Sequence, residues 1–165
     1  PPFPPRRHPD GGGSRLYFRQ PEERMNAVPR IHALVAAFPI ALLTASVGLE
    51  IISWKWDKFR ETGYCVLFLG LLGAVLTVAS GFLAASATNA AELAPTGLAR
   101  HRGFAAGAVI TFALMISFRL VTRNKFTLWT RLLYISVGVV GVAHVIVAAW
   151  LGTSLVFDHG IGVSR

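Results

Sequence analysis

Residues 62–91 read TGYCVLFLGLLGAVLTVASGFLAASATNAA, thirty consecutive positions without a charged side chain. A helix rises about 1.5 Å per residue, so about 20 residues cross the hydrocarbon core of a bilayer. A helix in water needs a polar face, and this stretch offers little beyond a few hydroxyls. Nor does it alternate apolar and polar residues as a membrane β-strand does. It therefore reads as a membrane-spanning helix. Three further stretches, residues 31–49, 103–118 and 132–157, are also free of charge. The expected fold is all-α: an integral membrane bundle of four antiparallel transmembrane helices at about 31–54, 64–88, 103–121 and 132–156. The short connections make sequence neighbours pack side by side. An even number of spans puts both termini on the same side.

Composition agrees. The chain has 165 residues, of which 53% are hydrophobic and 15% charged. Soluble domains carry about 25% charged residues, so an ordinary soluble enzyme and a disordered chain are both excluded. The net charge of +8 does not indicate nucleic acid. The Lys and Arg residues flank apolar segments, and there is no zinc-finger spacing or RNA-recognition signature. Basic residues at span ends attract anionic lipid head groups, which makes the bilayer the expected partner. Cys65 is the one cysteine. It excludes an internal disulfide, a CxxC metal site and the thiolate set of an iron–sulfur cluster.

Residues 1–24 form a Pro/Gly/Arg-rich tail, expected to be extended and to strap across a neighbouring subunit. Residues 25–165 form the transmembrane domain, and Met25 is a possible native start. Lys and Arg number nine on the termini side and seven on the other, so the count does not orient the chain. The dense clusters Lys55, Lys58, Arg60 and Arg119, Arg123, Lys125, Arg131 favour a cytoplasmic position for those loops. Both termini would then lie on the outer, periplasmic side of a bacterial inner membrane.

Polar groups in a span are costly, so each needs a reason. His32 and Glu50 lie 18 residues apart, which is five whole turns, and share one helix face with Pro39, Leu43 and Ser46. That face should point into the bundle. Glu50 would find Lys55 or Arg119 as a partner. Antiparallel topology brings His32, His101 and His159 to one membrane face, with Asn89, Glu92 and Asp158 beside them. His144 falls mid-way along the fourth span, where a hydrogen bond to a neighbouring helix is the expected role.

The segment from Pro29 to Leu42 resembles the HPxxVHFPIAL opening of a bacterial four-helix membrane family of unknown function. The segment from Leu151 to Val163 resembles its GGxLVYxHGVGV ending, and His101 stands where that family has a histidine before its third helix. Ala33, Ala37 and Thr153 depart from the motifs, and Asn89 or Glu92 replaces an aspartate at the end of the second helix. Some members are fused to Rieske-type iron–sulfur domains. The resemblance therefore implies a four-helix fold in a respiratory or photosynthetic electron-transfer setting.

Three readings follow for the histidine face. Haem iron takes two axial ligands, so two of His32, His101 and His159 would hold a b-type haem. Arg30, Arg100 and Arg102 would bind its propionates through paired hydrogen bonds, with Asn89, Glu92 and Asp158 behind them. A cofactor-free accessory subunit of a larger membrane complex is the second reading. Zinc or copper on the same three histidines is the third. No nucleophile elbow, phosphate loop or HExxH motif marks an independent enzyme.

Overall fold

The computed structural model describes residues 21–123 and 125–162, with side chains from residue 28 onward. The proposed tail up to residue 20 lies outside the described residues. Five helices follow in order: α1 (Pro21–Ile52), α2 (Phe59–Ala87), α3 (Ala90–Leu93), α4 (Pro95–Thr122) and α5 (Leu128–Phe157). There is no strand among the described residues. All but α3 contain a span long and apolar enough to cross a membrane.

The helices extend past the charge-free stretches that announced them. α1 begins at Pro21, inside the expected tail, and continues through Pro29 and Pro39. The segment 89–102, expected as a loop, is mostly helical: α3 makes one turn, and α4 then starts with Pro95 in its first turn. Proline suits that position because its missing N–H would have no helical partner there. The Arg100–His101–Arg102 cluster thus rides on a helix and does not interrupt one. α5 starts four residues earlier than expected, where Thr127 and Thr130 form a reciprocal capping box.

α1 packs along α2 and α4 along α5, giving two hairpins. Thinner contacts of α2 with α4 and of α1 with α5 close the ring. α1 and α4 therefore sit diagonally opposite. Leu43, Leu67 and Phe112 are almost wholly enclosed at the centre. Leu34, Phe38, Leu83, Val121 and Trp150 point outward, as a lipid-facing surface requires.

In lipid, apolar side chains gain nothing by leaving the solvent, so helix pairing relies on close packing. Gly70 lets α2 approach α1: a Cβ there would lie 2.9 Å from Leu43 Cδ2. Gly141 does the same on α5, where a Cβ would lie 2.9 Å from Phe112 Cζ. A second apolar cluster, including Ala85, Ala94, Leu98, Leu155 and Ile161, closes the end at which α2 gives way to α4. Gly162, with φ of +78°, lies against Pro29, so the start of the first span meets the end of the last.

Candidate functional site

The polar side chains gather at the two ends of the bundle. At one end, the stripe from His32 to Glu50 brings His32 inward. Its Nδ1 lies 3.0 Å from Ser80 Oγ on α2. The Ser80 hydroxyl already donates its one proton to the Thr77 carbonyl. With that proton on Thr77 O, Ser80 Oγ accepts from His32 Nδ1–H. The ring rests on Gly81, where a Cβ would lie 3.0 Å from His32 Cε1.

His101 on α4 repeats this arrangement against α5. Its Nδ1 lies 2.9 Å from the Ala148 carbonyl oxygen, which can only accept. Its ring rests on Gly152, where a Cβ would lie 3.1 Å from Cε1. Both imidazoles are half-buried. In both, Nδ1 is engaged by an oxygen of the adjacent helix, Ser80 Oγ on α2 for His32 and the Ala148 carbonyl on α5 for His101.

His159 belongs to the same end but behaves differently. It is exposed beyond α5, and its Nδ1 makes a long 3.4 Å contact with the Ser154 carbonyl in its own chain turn. Asp158 is exposed and accepts a hydrogen bond from Ser154 Oγ. Asn89 adopts a left-handed conformation with φ of 50° before α3, and it and Glu92 are exposed. Arg30, Arg100 and Arg102 are exposed as well, and the Arg102 guanidinium lies 4.8 Å over the Phe82 ring. Among the described residues no three His, Cys, Asp or Glu side chains are placed to hold a metal ion. What His32 and His101 share at this end is a ring nitrogen bonded to the adjacent helix and a glycine beneath the ring.

The expectation for His144 is corrected. Its Nδ1 donates to the Val140 carbonyl, four residues back in its own helix, at 2.9 Å. The neighbouring helix supplies packing instead: Gly107 gives the ring room, and Phe104 tilts against it at 5.8 Å.

The opposite end holds a buried charge pair. Arg119 Nη1 donates to Glu50 Oε2 at 3.2 Å, with both side chains almost wholly enclosed. Of the two partners the sequence offered for Glu50, this is Arg119. Its Nη2 also donates to the Arg60 carbonyl at 2.9 Å, and its guanidinium lies 5.0 Å over the Tyr64 ring. Arg131 donates to Ser53 Oγ at 2.8 Å and covers Trp54. The sequence reading missed this second layer, although the arginines opening α2 and α5 signalled it.

Between the ends lies the apolar layer of Leu43 and Phe112. The two polar ends are thus insulated from each other by tightly packed hydrocarbon. No curated protein and no solved structure matches the chain. The family described as predicted membrane protein (DUF2231) matches residues 29–165, from the proline that meets Gly162 to the last residue. With most of its length covered, the chain belongs to that family.

Proposed function

We propose that this protein is a small integral membrane subunit for electron transfer that binds b-type haem at the histidine end. The observation that carries this reading is the Nδ1 hydrogen bond that each of His32 and His101 makes to the helix beside it. A histidine that ligates a metal commonly donates its other ring N–H to an oxygen, which fixes the ring and raises its basicity. Both imidazoles have that partner, Ser80 Oγ for one and Ala148 O for the other. On this reading each would offer Nε2 to a ligand.

The donor set fits haem better than zinc or copper. Haem brings four nitrogens of its own and asks two axial ligands of the protein, whereas a bare zinc or copper ion needs three or four. His32 and His101 would hold the iron. Gly81 and Gly152 let the two imidazole rings lie against the neighbouring helices. Arg30, Arg100 and Arg102, at the aqueous rim of this end, would meet the propionates. Bound haem iron would supply one-electron chemistry by passing between its ferric and ferrous states. The protein's share is to orient the imidazoles and to keep water from the bundle interior.

On this reading the histidine end faces the outer side of the membrane, the basic loops face the cytoplasm, and a larger complex supplies the redox partners. An absorption spectrum of the protein purified in mild detergent is the test. A Soret band and a reduced α band are expected; their absence after growth with ample haem would refute the reading.

A further inference from the structure

The two hairpins are built to one plan. Residues 32 and 101 are both histidines, and 101 follows 32 by 69 positions, the same interval that separates Glu50 from Arg119. Moving α1 by 69 positions places every buried residue between 39 and 50 on a buried residue of α4, and α4 has no others between 108 and 119. In the second helices the interval is 71. The buried positions 63, 67, 70 and 74 of α2 fall on 134, 138, 141 and 145, the full buried set over that part of α5. The same interval carries Arg60 to Arg131, Gly70 to Gly141 and Gly81 to Gly152.

The contacts repeat with the positions. Leu43 sits on Gly70, and its counterpart Phe112 sits on Gly141. His32 sits on Gly81, and its counterpart His101 sits on Gly152. Helical periodicity alone would align one buried stripe with another. It does not choose histidine for histidine at one level and oppositely charged partners, Glu50 and Arg119, at another. α1 and α4 run in the same direction, so the relation is a parallel repeat about an axis along the membrane normal.

We infer that the bundle is a duplicated helix hairpin, and that His32 and His101 are equivalent donors gripping one flat cofactor from opposite sides of its pseudo-two-fold axis. This deepens the haem reading and rests on it for the identity of the ligand. It also settles the choice among three histidines: His159 has no counterpart in the first hairpin, since position 88 is Thr88. Glu50 and Arg119, facing each other at 3.2 Å, are one position of the repeat that has diverged into complementary charges.

The test uses the full chain in two arms. In the first, bound haem per protein is measured for the wild type and for H32A, H101A and H159A, each checked for a single folded species by gel filtration. H32A and H101A should each lose haem by about tenfold or more, as loss of a metal donor should cost at least what loss of its supporting hydrogen bond does. H159A should stay within about twofold of wild type. Haem retained in H32A or H101A, or lost in H159A, overturns the equivalence, whereas a wild type that takes up no haem overturns the cofactor reading itself. The second arm needs no haem. The exchange E50R/R119E should hold the thermal stability of the wild type, because equivalent positions accept each other's side chains, while E50R and R119E alone should each unfold earlier. An exchanged protein no more stable than its single variants overturns the duplication.

Discussion

Glu50 and Arg119 meet at 3.2 Å from diagonally opposite helices, both buried, near the end of the bundle farthest from His32 and His101. Removing one partner of such a pair strands a charge in a poorly polarisable interior, which costs about 3–5 kcal/mol. Arg119→Leu should therefore lower the unfolding midpoint in detergent sharply. Glu50→Leu combined with Arg119→Leu should recover much of the loss, because apolar replacement of both partners is often close to neutral. A double variant as unstable as Arg119→Leu would show that the Arg119 bond to the Arg60 carbonyl matters more than the pair.

Gly70 and Gly141 should differ in how well their alanine variants can be rescued. The three atoms nearest a Cβ on Gly141 all belong to the ring of Phe112, whereas one on Gly70 lies 2.9 Å from Leu43 Cδ2 and 3.1 Å from the Leu43 backbone nitrogen. Each alanine variant should cost about 1–3 kcal/mol by overpacking. Phe112→Leu should relieve Gly141→Ala, while Leu43→Ala should relieve Gly70→Ala only partly. Thermal denaturation of the four variants and the two pairs decides it.

Ser80 accepts the hydrogen bond that fixes His32. Loss of such a supporting contact typically weakens metal binding by about 10–100-fold. Ser80→Ala should weaken haem retention by that order, and Ser80→Thr should restore it, while stability stays near wild type. Haem titration by absorbance measures this directly. Unchanged retention in Ser80→Ala would assign the His32–Ser80 contact to packing alone.

Thr127 caps α5 by accepting from the Thr130 backbone N–H, and Thr130 returns the bond to the Thr127 N–H. Thr127→Ala should cost about 1 kcal/mol. Hydrogen exchange should show the loss confined to the first turn of α5, away from the histidine end.

The stripe through His32, Pro39, Leu43, Ser46 and Glu50 was legible because five helical turns return a residue to the same face, and its four deeper members are buried as read. Arg119 was legible only as one of two cations in reach, since sequence does not say which helices stand diagonally. The start of α4 was hidden by Arg100, His101 and Arg102: charge marks where a span leaves the hydrocarbon, not where a helix ends. Pro95 was the available signal. His159 shares the level of the other two histidines, as topology requires, but it lies past the last helical turn, where nothing holds it inward. The repeat left a trace in the shared 69-residue interval, yet it emerges only when burial is set beside sequence, because little beyond His32/His101, Arg60/Arg131 and a few small residues survives as identity.

The most direct measurement is the reduced-minus-oxidised absorption spectrum of the purified full-length protein beside its H32A/H101A double variant. Haem held by this pair gives a Soret shift and a sharp α band in the wild type and neither in the double variant, with both proteins folded. Featureless wild-type spectra, or the same bands with both histidines gone, would contradict it.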